Sequence, residues 1–352
     1  MSSRANRPRR LARTLLVAAS LVAPLLAGAP AAEAALATTL VSVSSTGSQA
    51  GGGFLSTQPA TSADGRFVAF TSSAVNLVAN DGNNVTDVFL RDRTAGTTRR
   101  VSVSSAGVEA NAGSSQPSIS ADGRFIAFSS GASNLVTGDT NGQTDVFVHN
   151  RETGETTRVS VVTGGGQGCA PVAPATTCSG NTGPGAVTGG ASQSPSISGD
   201  GRFVAFQSAA SFLATGVPAG DTNGAVDIFV HDRQTTTTSR VSVVTGGGQG
   251  CAGSPCTGAG ASTLPSISRD GRVVSFTSAA TYLASGVPAG DTNGVLDIFA
   301  HDRQTTTTAR VSIVTGGGQA TGASNPSSIS GDGRFVAFTS ESNNLVAGDT
   351  NG

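Results

Sequence analysis

The sequence predicts an all-β fold built from repeated four-stranded antiparallel units, and three observations carry that prediction. Beside abundant Ala, the composition is rich in Gly (48 residues), Ser, Thr and Val, which favour turns and strands. The tripeptide Asp-Gly-Arg recurs at Asp64, Asp122, Asp200, Asp270 and Asp332. Each copy is followed by the same succession of short apolar runs and turn signals. Hydrophobic residues make up 37% of the 352 and charged residues 12%, too apolar and too weakly charged for a disordered chain. All basic residues are Arg, and no long basic run follows the N-terminus, so a general nucleic-acid surface is not expected.

The first segment is a leader. Arg4, Arg7, Arg9, Arg10 and Arg13 form a basic region, an apolar stretch runs from Thr14 to about Ala27, and Ala32-Glu33-Ala34 fits a small-residue cleavage site. Residues 1–34 therefore read as a secretory signal peptide. The apolar stretch is short beside the roughly 20 residues that span a membrane, and an uncleaved signal anchor is the alternative. Arg9-Arg10 leaves the general secretory and twin-arginine routes both open. Cleavage removes five Arg and one Glu, so residues 35–352 carry a net charge of −5. No second apolar span follows. The expected product is a secreted protein, extracellular or periplasmic, with no transmembrane segment and monomeric.

The repeat units are centred near Asp64, Asp122, Asp200, Asp270 and Asp332, with spacings of 58, 78, 70 and 62 residues. The parts are more regular than the totals. From the Asp of Asp-Gly-Arg to the first Asp of an acidic loop is 17, 17, 21, 21 and 17 residues. From there to the second loop Asp is always 6, and onward to the Val of V-S-[VI] always 14. Almost all length variation falls after that Val.

Each unit reads as four strands. The first is Pro-Ser-Ile-Ser, as at Pro117–Ser120, followed by a tight Asp-Gly turn. The second is Arg-Phe-Val-Ala-Phe, as at Arg66–Phe70, nearly all apolar and so expected to be buried on both faces. The third is Asp-Val-Phe-Val-His, as at Asp145–His149, and the fourth Arg-Val-Ser-Val, as at Arg158–Val161. A meander buried on both faces and repeated around a ring is a β-propeller blade. An open solenoid or tandem sandwiches are the alternatives, and the hairpin-length turns argue against the solenoid. Residues 35–352 are thus expected to form a β-propeller of four-stranded antiparallel blades, with about five repeats.

The S-x-D-G-R-F-V-A-F core, as at Ser62–Phe70, followed by a D-[VI]-F-V-H-[DN]-R strand, resembles the TolB-type, WD-repeat-like propeller family. The resemblance covers roughly Thr38 to Gly352 and implies a propeller without the small α/β domain that precedes it in TolB. A role in the Tol–Pal envelope system is therefore not implied. Leu40-Val41-Ser42-Val43 matches the fourth strand and is expected to complete the last blade. The last unit stops at Gly352 inside its acidic loop, so the propeller is expected to be incomplete at the C-terminus, as a piece of a longer chain or a ring with a defective blade. An open sheet edge is an aggregation liability, which favours the first reading.

In a four-strand meander, connections alternate between two ends. One face carries only tight turns. The other carries the acidic loops, the variable Gly-rich insertions and all four Cys. Variable loops on a rigid scaffold are where binding usually sits, so this loop-rich face is the expected site for a protein or polysaccharide partner. Cys169 and Cys178, and Cys251 and Cys256, follow equivalent GGGQG sequences and are expected to form two local disulfides, consistent with an oxidising compartment. A single four-Cys metal site is the alternative.

Catalytic signals are absent. There is no G-x-S-x-G elbow and no H-E-x-x-H. His149, His231 and His301 occupy one repeat position, where the first unit has Arg91, and read as structural. Asp92, Asp232 and Asp302 with Arg93, Arg233 and Arg303, and the variant Asn150-Arg151, read as turn bonding and surface ion pairs. Glu109, Glu152, Glu155 and Glu341 are the only mature glutamates and nothing pairs them. The expected function is a non-catalytic binding scaffold, with a propeller-type hydrolase or lyase as the alternative.

The acidic loops suit one cofactor, Ca²⁺. Asp-Thr-Asn-Gly-x-x-Asp places oxygen ligands at Asp139, Asn141 and Asp145, at Asp221, Asn223 and Asp227, and at Asp291, Asn293 and Asp297. A variant offers Asp81, Asn83 and Asp87. Oxygens at alternate positions around a Gly bend are how short loops wrap a hard cation, but the bidentate Glu of an EF-hand is missing. The competing reading is an Asx-turn that caps its own backbone.

Overall fold

The computed structural model describes residues 38–51, 55–165, 190–210, 213, 224–248, 260–281, 283 and 291–349. The chain divides into two units, Met1–Leu40 and Val41–Gly352. All described strands lie in the second, and no described helix is long and apolar enough to cross a membrane. The expected leader and all four Cys fall outside the described residues.

Four sheets of four antiparallel strands follow one another, each a meander in chain order. Blade 1 comprises Ser56–Thr61, Phe67–Ser72, Asp87–Asp92 and Thr97–Arg100 (β1–β4). Blade 2 comprises Ser114–Ile119, Phe125–Ser130, Asp145–Asn150 and Thr156–Arg158 (β5–β8). Blade 3 comprises Ser192–Ile197, Phe203–Ser208, Asp227–Asp232 and Thr237–Arg240 (β9–β12). Blade 4 comprises Ser262–Ile267, Val273–Ser278, Asp297–Asp302 and Thr307–Arg310 (β13–β16). A fifth sheet pairs Ser324–Ile329 with Val336–Ser340 (β17, β18). The first strand of each blade packs against the first and second strands of the blade before it, so the first strands stand side by side around an axis.

The core lies between consecutive sheets, which is why the second strand is apolar throughout. Strand residues alternate faces. In blade 2, Ile126, Phe128 and Phe147 join a cluster with Phe67, Ala69 and Leu90 of blade 1. Their neighbours Ala127, Val146 and Val148 join the next cluster with Val204 and Phe206 of blade 3. Within each complete blade two Phe rings, such as Phe70 and Phe89, stack with centroids 5.8–6.0 Å apart.

Each Asp-Gly-Arg turn is closed from inside. Ser62 donates to Asp64 Oδ1 at 2.6 Å, the Arg66 amide donates to the same oxygen at 3.0 Å, and the Phe67 amide donates to the Ser62 hydroxyl. The glycine is required twice over. Gly123 has φ +70°, and a Cβ there would lie 2.3 Å from the Phe67 ring of the preceding blade. Gly201 and Gly271 stand in the same relation to Phe125 and Phe203.

Two expectations are corrected. The fourth strand ends at the Arg of R-V-S-V rather than beginning there. The Val-Ser-Val segment that follows crosses to the next blade, where it runs along the outer edge of that blade's fourth strand. Thr156 donates from Oγ1 to the Val103 carbonyl at 2.5 Å, and Ser105 bonds Thr156 through its hydroxyl. Consequently Leu40-Val41-Ser42-Val43 does not complete a last blade. Val43 and Ser45 bond Thr98, so this segment covers the outer edge of blade 1.

Candidate functional site

Because every blade is a meander, the β2–β3 type loops and the inter-blade linkers share one end of the propeller, and the Asp-Gly-Arg turns share the other. The long insertions of the loop-rich end (residues 166–189, 214–223, 249–259 and 284–290) lie outside the described residues, as do Asp221 and Asn223.

The described acidic loops converge on an arginine. In blade 1, Arg100 Nη1 lies 3.0 Å from Asp81 and 3.3 Å from Asp87, and its Nη2 lies 2.8 Å from Glu109. In blade 2, Arg158 reaches Asp139 at 3.0 Å and Asp145 at 3.4 Å. In blade 4, Arg310 reaches Asp291 at 3.5 Å and Asp297 at 3.3 Å. In blade 3, Arg240 reaches Asp227 at 3.3 Å. The Asn side chain closes the loop locally: Asn141 donates to Asp145 Oδ2 at 2.8 Å and accepts from the Gln143 amide. The remaining oxygen of the second Asp accepts from the Ser of V-S-[VI], as Asp145 from Ser160 at 2.6 Å. Burial raises the Asp81, Asp139 and Asp291 carboxyls above the usual range, against the pull of the arginine. Asn83, Asn141 and Asn293 thus sit where the sequence places ligands, but the carboxylates face a guanidinium.

The three histidines are buried at one repeat position and bond a Thr of the neighbouring fourth strand, 2.8–3.0 Å away. The glutamates have separate positions. Glu109 supplies the third carboxylate on Arg100. Glu152 Oε2 lies 3.2 Å from Arg124, where the other blades use the third-strand Asp that is Asn150 here.

The third-strand Asp-Arg pairs need correcting. Asp92 pairs with Arg66 of the Asp-Gly-Arg turn at 2.7 Å, not with its neighbour Arg93. That contact, with two backbone amides, holds the Asp92 carboxyl down to about 2. Arg151 keeps a surface ion pair with Glu152 at 3.4 Å, but Arg151, Arg233 and Arg303 share another engagement at the blade junction. Each donates to the carbonyl of its own blade's turn Gly (Gly123, Gly201, Gly271) at 2.5–2.8 Å. Each also lies 4.2–4.4 Å over the Phe ring of the preceding blade: Phe67, Phe125 and Phe203. These half-buried cations bolt the blades together.

The axial end of the turn face holds a cavity of about 720 Å³ lined by Asp122, Asp200, Asp270, Asp332 and Arg269. The residues preceding these aspartates form a chain of backbone hydrogen bonds from blade to blade: Ala63 to Ala121, then to Gly199, Arg269 and Gly331, each 2.8–2.9 Å. Arg269 breaks the repeat, since Ala or Gly stands there in the other blades. Gly199 gives it room, because a Cβ at 199 would lie 2.2 Å from the Arg269 Cγ. Sequence reasoning missed Arg269, although its departure from the Ala/Gly pattern is visible. It also missed the role of Arg100, Arg158, Arg240 and Arg310, whose signal was the fixed spacing from the second loop Asp. Farther along the axis, Gln58, Gln116, Ser194 and Leu264 line a smaller cavity of about 290 Å³.

Blades of four antiparallel strands with their first strands at an axis define a β-propeller whose fifth sheet has two described strands. No protein-family model and no curated protein sequence matches the chain. Among solved structures it is similar to TolB from Agrobacterium tumefaciens, at 15% identity and a TM-score of 0.43, over 80% of this chain and 73% of that one. TolB from Acinetobacter baumannii is similar at 15% identity and a TM-score of 0.41, over 82% of this chain and 55% of that one, so this chain spans about half its length. The tricorn protease is similar at 11% identity and a TM-score of 0.42, over 81% of this chain and 24% of that one.

Proposed function

We propose that this chain is an exported, non-catalytic propeller scaffold that binds a protein or a cell-surface polysaccharide through its loop-rich face. One observation carries the reading: length varies from unit to unit only in the loops of that face, while the groups that would serve catalysis are engaged elsewhere. The histidines bond Thr hydroxyls, Glu109 and Glu152 bond arginines, and the loop carboxylates bond a buried guanidinium. A rigid ring with one variable end suits recognition. The leader and the Cys pairs support export to an oxidising compartment.

The hydrolase or lyase reading has one observation in its favour, the axial cavity with Arg269 in its lining. Its aspartates repeat from blade to blade, and Asp122, Asp200, Asp270 and Asp332 each commit Oδ1 to a Ser hydroxyl and a backbone amide. Pull-down from cell-wall extract, run beside a panel of hydrolase substrates, separates the two. Capture that is lost when residues 166–189 are replaced by a short Gly-Ser loop supports the scaffold. Turnover that is lost in Arg269→Ala sinks it.

A further inference from the structure

In the four complete blades the arginine of each Asp-Gly-Arg turn has an acidic partner. Arg66, Arg202 and Arg272 lie 2.6–2.7 Å from a third-strand Asp, and Arg124 lies 3.2 Å from Glu152. Arg269 differs. It is exposed in the lining of the axial cavity, and its guanidinium forms no ion pair and no hydrogen bond among the described residues. Its stem lies across Gly199 of the preceding blade, where a Cβ would stand 2.2 Å from Cγ and 3.1 Å from Nε. The cavity, about 720 Å³, has the size of a small-molecule site. No apolar side chain larger than that of Ala121 lines it, so charge and hydrogen bonding decide what fits.

The lining carboxylates are each half engaged. Asp200 and Asp270 commit Oδ1 to a Ser hydroxyl and a backbone amide, and Oδ2 of each has no partner among the described residues. The Ser268 hydroxyl and the Arg272 amide hold the Asp270 carboxyl below the usual range, so it is ionised at neutral pH. A simple anion would meet Arg269 but also the field of four carboxylates. A simple cation would meet the carboxylates but also the guanidinium. A molecule that carries both charges meets each group with its opposite. We propose that the axial cavity binds a small zwitterion of the amino-acid or short-peptide class, with its carboxylate on Arg269 and its ammonium on Oδ2 of Asp200 and Asp270. A guanidinium fork suits a carboxylate through two parallel bonds. The Gly199 amide donates to the Arg269 carbonyl at 2.8 Å, so the two turns stand side by side, about 5 Å apart, within reach of one small molecule. Arg269, Asp200 and Asp270 all belong to blades 3 and 4, which have all four strands. The site lies at the opposite end from the loop-rich face, so it stands or falls independently of partner binding there.

The test is saturation-transfer NMR on the whole chain with alanyl-alanine, N-acetyl-alanyl-alanine and alanyl-alaninamide, each up to about 5 mM, which covers millimolar affinities. Alanyl-alanine is expected to bind, and blocking either end to weaken binding about tenfold, the worth of one charged hydrogen-bonded contact. Arg269→Ala, which installs the residue that blade 2 has at Ala121, should abolish the preference for the free acid over the amide and keep the preference for the free amine. Asp270→Asn should do the reverse, because an Asn Oδ1 still closes the turn while the charge at Oδ2 is lost. Circular dichroism and melting curves matching the wild type confirm that both variants fold, and Asp200→Asn replaces the second if it does not. Absence of transfer to alanyl-alanine in the folded wild type overturns the proposal. So do equal affinities for all three probes, or a preference for the free acid that survives in Arg269→Ala.

Discussion

The imidazole of His231 donates from Nδ1 to the hydroxyl of Thr238, 2.9 Å away. The direction is fixed by the next bond, because Thr238 donates its own proton to the Val161 carbonyl at 2.6 Å. The relay ties the third strand to the fourth, and both to the segment arriving from the preceding blade. His149–Thr156–Val103 and His301–Thr308–Val243 repeat it. In blade 1, Arg91 takes the place of the imidazole and donates to Thr98.

Burial pushes all three histidines down to about 4 from an ordinary 6.5. A base with a depressed folded value takes up its proton more readily when unfolded. Stability is therefore unaffected above pH 6.5 and falls as pH drops from 6.5 toward 4, by up to about 3 kcal/mol per histidine. Urea melts across that range should show the loss. His231→Asn, whose Nδ2 can replace Nδ1–H, should remove about a third of the slope. A stability that is flat from pH 6.5 to 4 in the wild type would contradict the neutral, Nδ1-protonated assignment.

The blade junctions give a comparison within one chain. Phe67→Ala empties the space under Arg151 and should cost about 3 kcal/mol or more. Phe335→Ala, at the equivalent position but 64% exposed, should cost well under about 1 kcal/mol. Gly201→Ala should destabilise by a clash with Phe125 and by its φ of +73°. Chemical denaturation of the three variants tests this. Equal losses for Phe67→Ala and Phe335→Ala would mean that the Phe position is not a junction.

Much of the fold was legible because period and spacing are backbone properties. The apolar run Phe67–Phe70 shows two buried faces, and the constant 14 residues from Asp87 to Val101 place Ser102 where it bonds Asp87 Oδ1. What was not legible depended on partners distant in sequence. Arg66 and Arg93 are both close to Asp92 in the fold, and only the register of Phe67 opposite Asp92 shows which one pairs. Arg151 looks like a surface charge until Phe67, 84 positions earlier, comes beneath it. The fourth strand was misplaced because Val-Ser-Val has strand propensity, yet its outer partner is a Thr hydroxyl of the next blade rather than a ladder.

Blade 2 has exchanged one carboxylate for another. Asn150 stands where blades 1, 3 and 4 have Asp, and Glu152 reaches back to Arg124 at 3.2 Å. The pair is solvent-exposed, so Glu152→Gln should cost only about 0.5 kcal/mol. Asn150→Asp should offset that loss in the double variant, because its carboxylate lies in the register that Asp92 and Asp232 use. A double variant less stable than Glu152→Gln alone would show that Asn150 has a separate role.

The acidic loops present a choice between a cation from solution and one from the chain. In blade 2 the guanidinium of Arg158 already lies within 3.4 Å of both Asp139 and Asp145, and their side chains are nearly inaccessible. A calcium ion there would have to displace a buried arginine, and a loop with two carboxylates gives only a weak site of roughly millimolar affinity. Arg158→Met should therefore cost about 3 kcal/mol, because it strands two buried carboxylates. Lowering the pH should return part of that loss, since the Asp139 carboxyl is already raised by burial and takes up a proton readily. A raised acid favours the folded state when protonated, so this recovery appears on acidification and fades as pH rises through its folded value. In the wild type, millimolar Ca²⁺ should shift the melting temperature no more than Mg²⁺ at equal ionic strength. A calcium-specific rise that disappears in Asp139→Asn would show that the ion does displace the arginine, and that these loops bind metal as well as cap strands.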